Sequence, residues 1–306
     1  MDQKRGIRIA LFHILNCRAE RKEECEIVGK HAKTEALLQV ALEVLQANNP
    51  MTVRQVYYQL VSRQVIKNNR SQYQAVSNAL VEARKDGTIP WEWIEDRLRR
   101  PRRVSMWNGL PDFADTARRA YRRNVWGSQP AYVEMWLEKD AISGIFEDAL
   151  NRYGVTLNVG RGYDGWDSIH NAACRFLNKS EKGVHSTVLY FGDFDPSGED
   201  MVRSLKERLE QLGAAPDIRK CALSPDDVER YQLPPDFAKK TDSRSARFIA
   251  KHGDISVELD ALPLDVLRSR IVEEVEQCLD LKALENVRRM EERDRQRLIR
   301  ALARMR

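Results

Sequence analysis

The chain of 306 residues has no apolar run approaching the roughly 20 residues that a bilayer-spanning helix requires, which excludes an integral helical membrane protein. It has no CxxC pair either. Its five cysteines, Cys17, Cys25, Cys174, Cys221 and Cys278, are scattered and odd in number, against a disulfide framework or a zinc site. The five histidines, His13, His31, His170, His185 and His252, are equally dispersed, and none forms HExxH. No P-loop is present, so nucleotide binding of that kind is not expected. No internal repeat is visible. The run IRIALFHIL near the N-terminus lacks a small-residue cleavage site and does not read as a signal peptide. The expected location is cytoplasmic, with nucleoid association in a bacterium and a mobile element as one source.

What is present is a globular composition, 42% hydrophobic and 32% charged, in a chain long enough for two domains. The net charge of +5 is modest, but it is unevenly distributed. Between Arg97 and Arg123 stand nine arginines (Arg97, Arg99, Arg100, Arg102, Arg103, Arg118, Arg119, Arg122 and Arg123) against Asp112 and Asp115. Trp107, Tyr121 and Trp126 are interleaved with them. Such a stripe suits the phosphate backbone of a nucleic acid.

Residues 24–48 carry Leu37, Leu38, Ala41, Leu42 and Leu45 at helical spacing and end at Asn48, Asn49 and Pro50. Thr52 is placed to cap a helix over 53–64, and a turn with Lys67, Asn68, Asn69 and Arg70 leads to a second helix over 71–85. That helix sets Tyr73, Val76, Leu80 and Ala83 on one face. Asp86-Gly87 then signals a tight turn into TIPWEWIED, expected as a small extended wing. Helix, turn, helix, wing is the order of a winged helix, whose second helix enters the major groove. Its polar face offers Ser71, Gln72, Gln74, Ser77, Asn78, Arg84 and Lys85, of which Asn78, Arg84 and Lys85, with Arg70, are the candidate DNA contacts.

After Pro130 the pattern changes. YVEMWLE (132–138), VTLNVG (155–160), TVLYFGD (187–193) and DIRKCAL (217–223) read as strands, separated by helical stretches over 140–152, 167–178 and 198–212. This alternation predicts an α/β domain with a parallel sheet. ISVELDAL (255–262) is a candidate further strand, and from Leu264 the chain reads as helix, ending in a charged tail that faces solvent or a partner. One strand ends at Glu138, in WLEKDAIS, and another ends in YFGDFDPSGED, with Asp193 and Asp195. Ligands collect beyond the carboxyl ends of parallel strands, and hard oxygen donors placed there suit Mg²⁺.

A glutamate closing one strand and DxDPxG closing another resemble the Toprim fold of topoisomerases, primases and some nucleases. Upstream, TVRQVYYQL supplies Thr52, Arg54, Tyr57 and Tyr58 in a T-x-R-x-x-Y-Y pattern. Together these residues, spanning about 50–215, resemble the topoisomerase VI A subunit and its meiotic double-strand-break relatives, most nearly the stand-alone Mini-A members. The resemblance implies an N-terminal helical segment (1–50), a CAP-like winged-helix domain (51–100), a basic linker (101–130), a Rossmann-like Toprim domain (131–262) and a C-terminal helical segment (263–306). It implies Mg²⁺ at Glu138, Asp193 and Asp195, double-stranded DNA as substrate, and a homodimer in which one subunit's tyrosine works with the other's metal. It also implies a separate ATPase subunit for strand passage, which is not expected of this chain alone. GRGYDGWDSIH (160–170) keeps the family's glycine turn but not its Pro-Asp step or Thr-Arg pair; Arg161 is the remaining candidate phosphate contact there.

Helical geometry separates the two tyrosines. Val53, Val56, Tyr57, Leu60 and Val61 make one apolar stripe, with Tyr58 about 130° from its centre on the edge that carries Arg54. Tyr57 is therefore expected in the core, with Tyr58 as the nucleophile and Arg54 beside it. Two other readings stand. Water could replace the tyrosine, giving a metal-dependent nuclease, or the fold could bind DNA without cutting it.

Overall fold

The structure, a computed structural model, describes residues 34–96, 104–160, 165–235 and 245–303. The chain divides into two compact units between Glu95 and Asp96. Among the described residues no helix is long and apolar enough to cross a membrane.

The first unit is helical. Helix α1, described over 34–48, buries Leu37, Ala41, Val44 and Leu45, and Leu38 and Leu42 lie half-buried at the margin of that stripe. Helix α2 (Val53–Ser62) starts with a capping box in which Gln55 N–H donates to Thr52 Oγ1 (3.2 Å) and Thr52 N–H donates to Gln55 Oε1 (2.5 Å). Helix α3 (Arg70–Lys85) is capped by the Asn69 side chain and buries Val76, Leu80 and Ala83. Tyr73 is a third exposed, with its ring edge-on to Tyr57 at 5.2 Å. The expected wing is not a β-hairpin. Pro90 instead opens a single 3₁₀ turn, Trp91–Trp93, and the segment pairs only through one parallel bridge, Met51 with Ile94. Ile89 and Ile94, on either side of that turn, are buried.

The second unit is α/β. Strands β1 (Ala131–Leu137), β2 (Thr156–Val159), β3 (His185–Phe191) and β4 (Asp217–Ala222) form one parallel sheet in the order β2-β1-β3-β4. Helices α5 (Ser143–Asn151), α6 (Trp166–Ser180) and α7 (Pro196–Gln211) make the crossovers. From β1 the chain moves to one side of the sheet, and from β3 it moves to the other. With crossovers of one hand, that reversal places α5 on the face opposite α6 and α7. The packing agrees, since α6 meets α7 while α5 meets α10 (Leu264–Glu276). The carboxyl ends of neighbouring β1 and β3 therefore form the point at which the strand order reverses, where open α/β sheets hold their ligands.

One expectation fails in the remainder and another is incomplete. ISVELDAL is not a strand: Val257 pairs only with Phe194, by an antiparallel bridge, and Leu259–Ala261 is a 3₁₀ turn. The carboxylates of Glu258 and Asp260 turn to Lys139, and Pro263 closes the segment off. The charged C-terminal segment is also more than a solvated tail. Helix α11 (Leu281–Ala303) buries Leu284 and Val287 and grips the end of the arginine-rich stretch. Asp294 accepts from Tyr121 Oη at 2.9 Å and pairs with Arg123 at 2.5 Å, and Arg295 Nη2 donates to the Tyr121 carbonyl. The stretch read as a linker carries helix α4 (Leu110–Ala120), on which Arg118 and Arg119 are both paired with Asp115. Arg97, Arg99, Arg100, Arg102 and Arg103 lie outside the described residues.

Candidate functional site

Glu138 follows the last residue of β1, and its own N–H continues the ladder to the Phe191 carbonyl (3.0 Å). Its side chain is buried, with Oε2 accepting the Asp193 N–H at 2.8 Å. One short strand end thus ties to its neighbour through a carboxylate. Asp193 is buried too, and both its oxygens are engaged: Oδ1 accepts the Leu259 N–H (2.8 Å) and Oδ2 pairs with Lys139 (2.6 Å). Asp195 caps α7, its Oδ1 accepting the Gly198 N–H at 2.6 Å. From β4, Lys220 Nζ reaches the Asp193 carbonyl (3.0 Å) and the Glu199 carboxylate (2.6 Å).

The glycines of YFGDFDPSG are required by these contacts. A Cβ at Gly192 would lie 2.5 Å from Glu138 Oε2 and 2.6 Å from the Tyr190 ring, and one at Gly198 would lie 2.4 Å from the Asp193 carbonyl oxygen. Gly192→Ala is expected to push the Glu138 carboxylate off the Asp193 N–H, at about 1–3 kcal/mol of stability. Gly198→Ala meets backbone rather than a side chain and should cost more. Urea unfolding of the two variants checks the order, and equal stabilities would contradict it.

Burial drives the carboxyls upward in pKa. It raises Glu138, with the Asp193 N–H opposing the rise and the Asp195 charge adding to it. Burial lifts Asp193 to about 7, against the pull of Lys139 and with the push of Glu138. On Lys139, burial acts to lower the pKa, but Asp193, Asp260 and Glu258 outweigh it and the net shift is upward. Carboxylates that are crowded, buried and mutually repelling gain most from a cation.

The three acids do not make a closed cage: among the described residues no group of three His, Cys, Asp or Glu side chains is arranged to hold a metal ion. The commitment of Asp193 to Lys139 and Leu259 is the physical reason. Glu138 Oε1 and Asp195 Oδ2, by contrast, accept no hydrogen bond from the described residues. Mg²⁺ characteristically takes one or two carboxylates and completes its shell with phosphate oxygens and water, so this donor pair fits it.

The remaining candidates lie apart from this cluster in the sequence. Tyr57 is buried, its hydroxyl accepting the Asn69 N–H (2.8 Å) and lying 3.0 Å from Asn68 Oδ1. Tyr58 is buried as well, 7% exposed, more enclosed than its place on the helix edge suggests. Arg54 lies over its ring at 5.3 Å, as the four-residue spacing requires. On α3, Arg70, Asn78 and Lys85 are exposed; Asn78 accepts from Gln74, and Lys85 pairs with Glu82. Arg84 stacks on Trp91 at 4.7 Å. Arg161 lies outside the described residues.

Lys139, Lys220 and the Leu259 N–H were not singled out from sequence. A lysine near the end of an expected strand, as in DIRKCAL, is the one signal that could have pointed to Lys220. Comparison of the chain with family models, with curated proteins and with solved structures finds no match in any of the three.

Proposed function

We propose that the chain is a Mg²⁺-dependent, DNA-cleaving transesterase of the topoisomerase VI A type, a winged-helix unit joined to a Toprim unit, acting on double-stranded DNA as a homodimer. The observation that carries this reading is the placement of Glu138 and Asp195, each with an oxygen that accepts no hydrogen bond from the described residues, at the reversal point of a parallel sheet. Tyr58 attacks a backbone phosphorus: the phenol gives its proton to solvent, the P–Oη bond forms and the P–O3′ bond breaks. The 3′-oxygen leaves as a hydroxyl after taking a proton, and the phosphate remains on the 5′ end as a phosphotyrosine. An unperturbed phenol, with a pKa near 10, is neutral at pH 7, so Arg54 beside it contributes by stabilising the charge that develops on attack. A bound Mg²⁺ supplies charge for the phosphate and the leaving oxygen. Arg70, Asn78, Arg84 and Lys85 on α3, with Arg161, contact the duplex, and strand passage requires a separate ATPase subunit.

A second reading has its own observation. Tyr58 is only 7% exposed, which favours water as nucleophile and a hydrolytic nuclease. Incubation with supercoiled DNA and Mg²⁺, followed by denaturation with and without protease, separates the two. Protein-linked ends that vanish in Glu138→Gln and in Tyr58→Phe are the expected result. Free ends that survive Tyr58→Phe but not Glu138→Gln would replace the transesterase with the nuclease. Intact DNA throughout would sink both.

A further inference from the structure

A cleft of about 770 Å³ opens between the segment that leads into β1, helix α5, the turn before β2 and helix α11. Trp126 and Gly154, which line it, precede β1 and β2, whereas Glu138 follows the last residue of β1. The seven residues of that strand put roughly 20 Å between the two places. Five guanidinium groups (Arg122, Arg123, Arg152, Arg288 and Arg295) and three carboxylates (Asp148, Glu291 and Glu292) line the cleft. Most of these charges are already paired. Arg123 meets Asp294, Arg152 meets Glu276, and Arg295 meets Glu291 and, at 3.8 Å, Glu292. Arg122 and Arg288 are held differently. Arg122 Nη1 donates to the Arg119 and Tyr121 carbonyls (2.9 and 3.0 Å), and Arg288 Nη2 donates to the Arg152 carbonyl (3.0 Å). A carbonyl fixes a guanidinium without neutralising it, and neither arginine has a carboxylate partner among the described residues. Arg122 keeps Nε and Nη2 uncommitted there, and Arg288 keeps Nε and Nη1. Asp148, exposed on α5, is the one lining carboxylate without a cation among the described residues.

We propose that this cleft binds a small ligand carrying a diphosphate group, such as a nucleoside diphosphate, with Arg122 and Arg288 as its anchors. A guanidinium presents parallel N–H donors that match two oxygens of one phosphate. Two such groups from different elements suit two linked phosphates. The volume lies within the range of small-molecule sites, about 300–1,000 Å³. A DNA duplex, whose major groove alone is about 12 Å wide, does not fit inside it. Asp148 repels the same anion, so its neutralisation and the loss of either arginine act in opposite directions. The site lies at the far end of β1 from Glu138, and the inference does not rest on the transesterase reading.

Calorimetric titration of the full protein with inorganic pyrophosphate, with EDTA present and DNA absent, makes the test. One pyrophosphate per chain is expected. Arg122→Gln and Arg288→Gln should each weaken binding about tenfold, the loss of one hydrogen bond to a charged group. Asp148→Asn should tighten it, a gain that a damaged fold cannot produce. Glu138→Gln should bind as the wild type does, whether or not Glu138 holds a metal ion or the chain cuts DNA. No binding, or equal binding by the wild type and both arginine variants, overturns the proposal. Loss of binding in Glu138→Gln would place the anion at the acid cluster and overturn it too. Pyrophosphate displaced by a short DNA duplex would assign these contacts to the DNA backbone, against a small ligand.

Discussion

Tyr58→Phe is expected to eliminate protein-linked DNA ends and leave the fold intact, whereas Tyr57→Phe is expected to weaken the fold and leave the chemistry in place. The two side chains are neighbours in sequence and touch edge-on, with ring centroids 5.1 Å apart, yet the tasks proposed for their hydroxyls differ. The Tyr57 hydroxyl accepts the Asn69 N–H at the start of α3 and meets the Asn68 side chain, so it pins the α2–α3 turn. Its loss leaves a backbone donor without that partner, which costs about 1–3 kcal/mol. Phenylalanine at position 58 keeps the ring against Arg54 and Tyr57 and removes the proposed nucleophile. Urea unfolding and a protease-dependent gel assay on both variants make the comparison. Protein-linked ends persisting in Tyr58→Phe would remove that residue from the mechanism, and an unchanged stability in Tyr57→Phe would remove the hydroxyl from the turn.

β1 and β3 were legible because parallel strands buried on both faces read as nearly continuous apolar runs, as YVEMWLE and TVLYFGD do, while β2 and β4, half-buried at the sheet edges, were legible as short apolar runs alternating with helical stretches. The strand-end acids were legible for the same reason: once the strands are placed, Glu138 and Asp193 must lie side by side, as the pairing of Leu137 with Phe191 shows. What the pattern could not show depends on long-range partners. ISVELDAL alternates like a strand, but Glu258 and Asp260 are drawn to a lysine more than a hundred positions upstream, and only Val257 finds a bridge. The wing failed for a local reason, since Pro90 and Trp91 start a 3₁₀ turn within a stretch whose β-forming residues suggested extension. Tyr58 shows a third kind of gap. A helical wheel gives the direction of a side chain from the helix axis, and says nothing of what is packed on that side.

Glu134 is the residue whose importance the sequence hid most completely, and its loss of partner carries the largest expected effect on stability. It lies mid-strand in β1, fully buried, with Oε1 accepting from Tyr132 Oη (2.8 Å) and Arg175 Nε (2.6 Å). Oε2 accepts from Arg175 Nη2 (2.9 Å), Asn158 Nδ2 (2.7 Å) and Trp136 Nε1 (3.3 Å). Burial, and then the Glu134 charge, push the Tyr132 hydroxyl up to about 12, so it remains a donor at any ordinary pH. Arg175→Met removes the cation paired with the carboxylate and leaves it, among the described residues, with neutral donors. Breaking a buried pair from one side costs about 3–5 kcal/mol, because the remaining charge stays desolvated. The double variant Glu134→Leu/Arg175→Met should recover most of that loss, since replacing both partners with apolar groups is often neutral or stabilising. Glu134, Trp136 and Glu138 alternate onto one face of the β1 pleat. A disturbed Glu134 is therefore expected to weaken Mn²⁺ binding at Glu138 in Arg175→Met and to restore it in the double variant. A double variant less stable than the single one would show that the network holds β1 by its hydrogen bonds, and not merely by neutralising a buried charge.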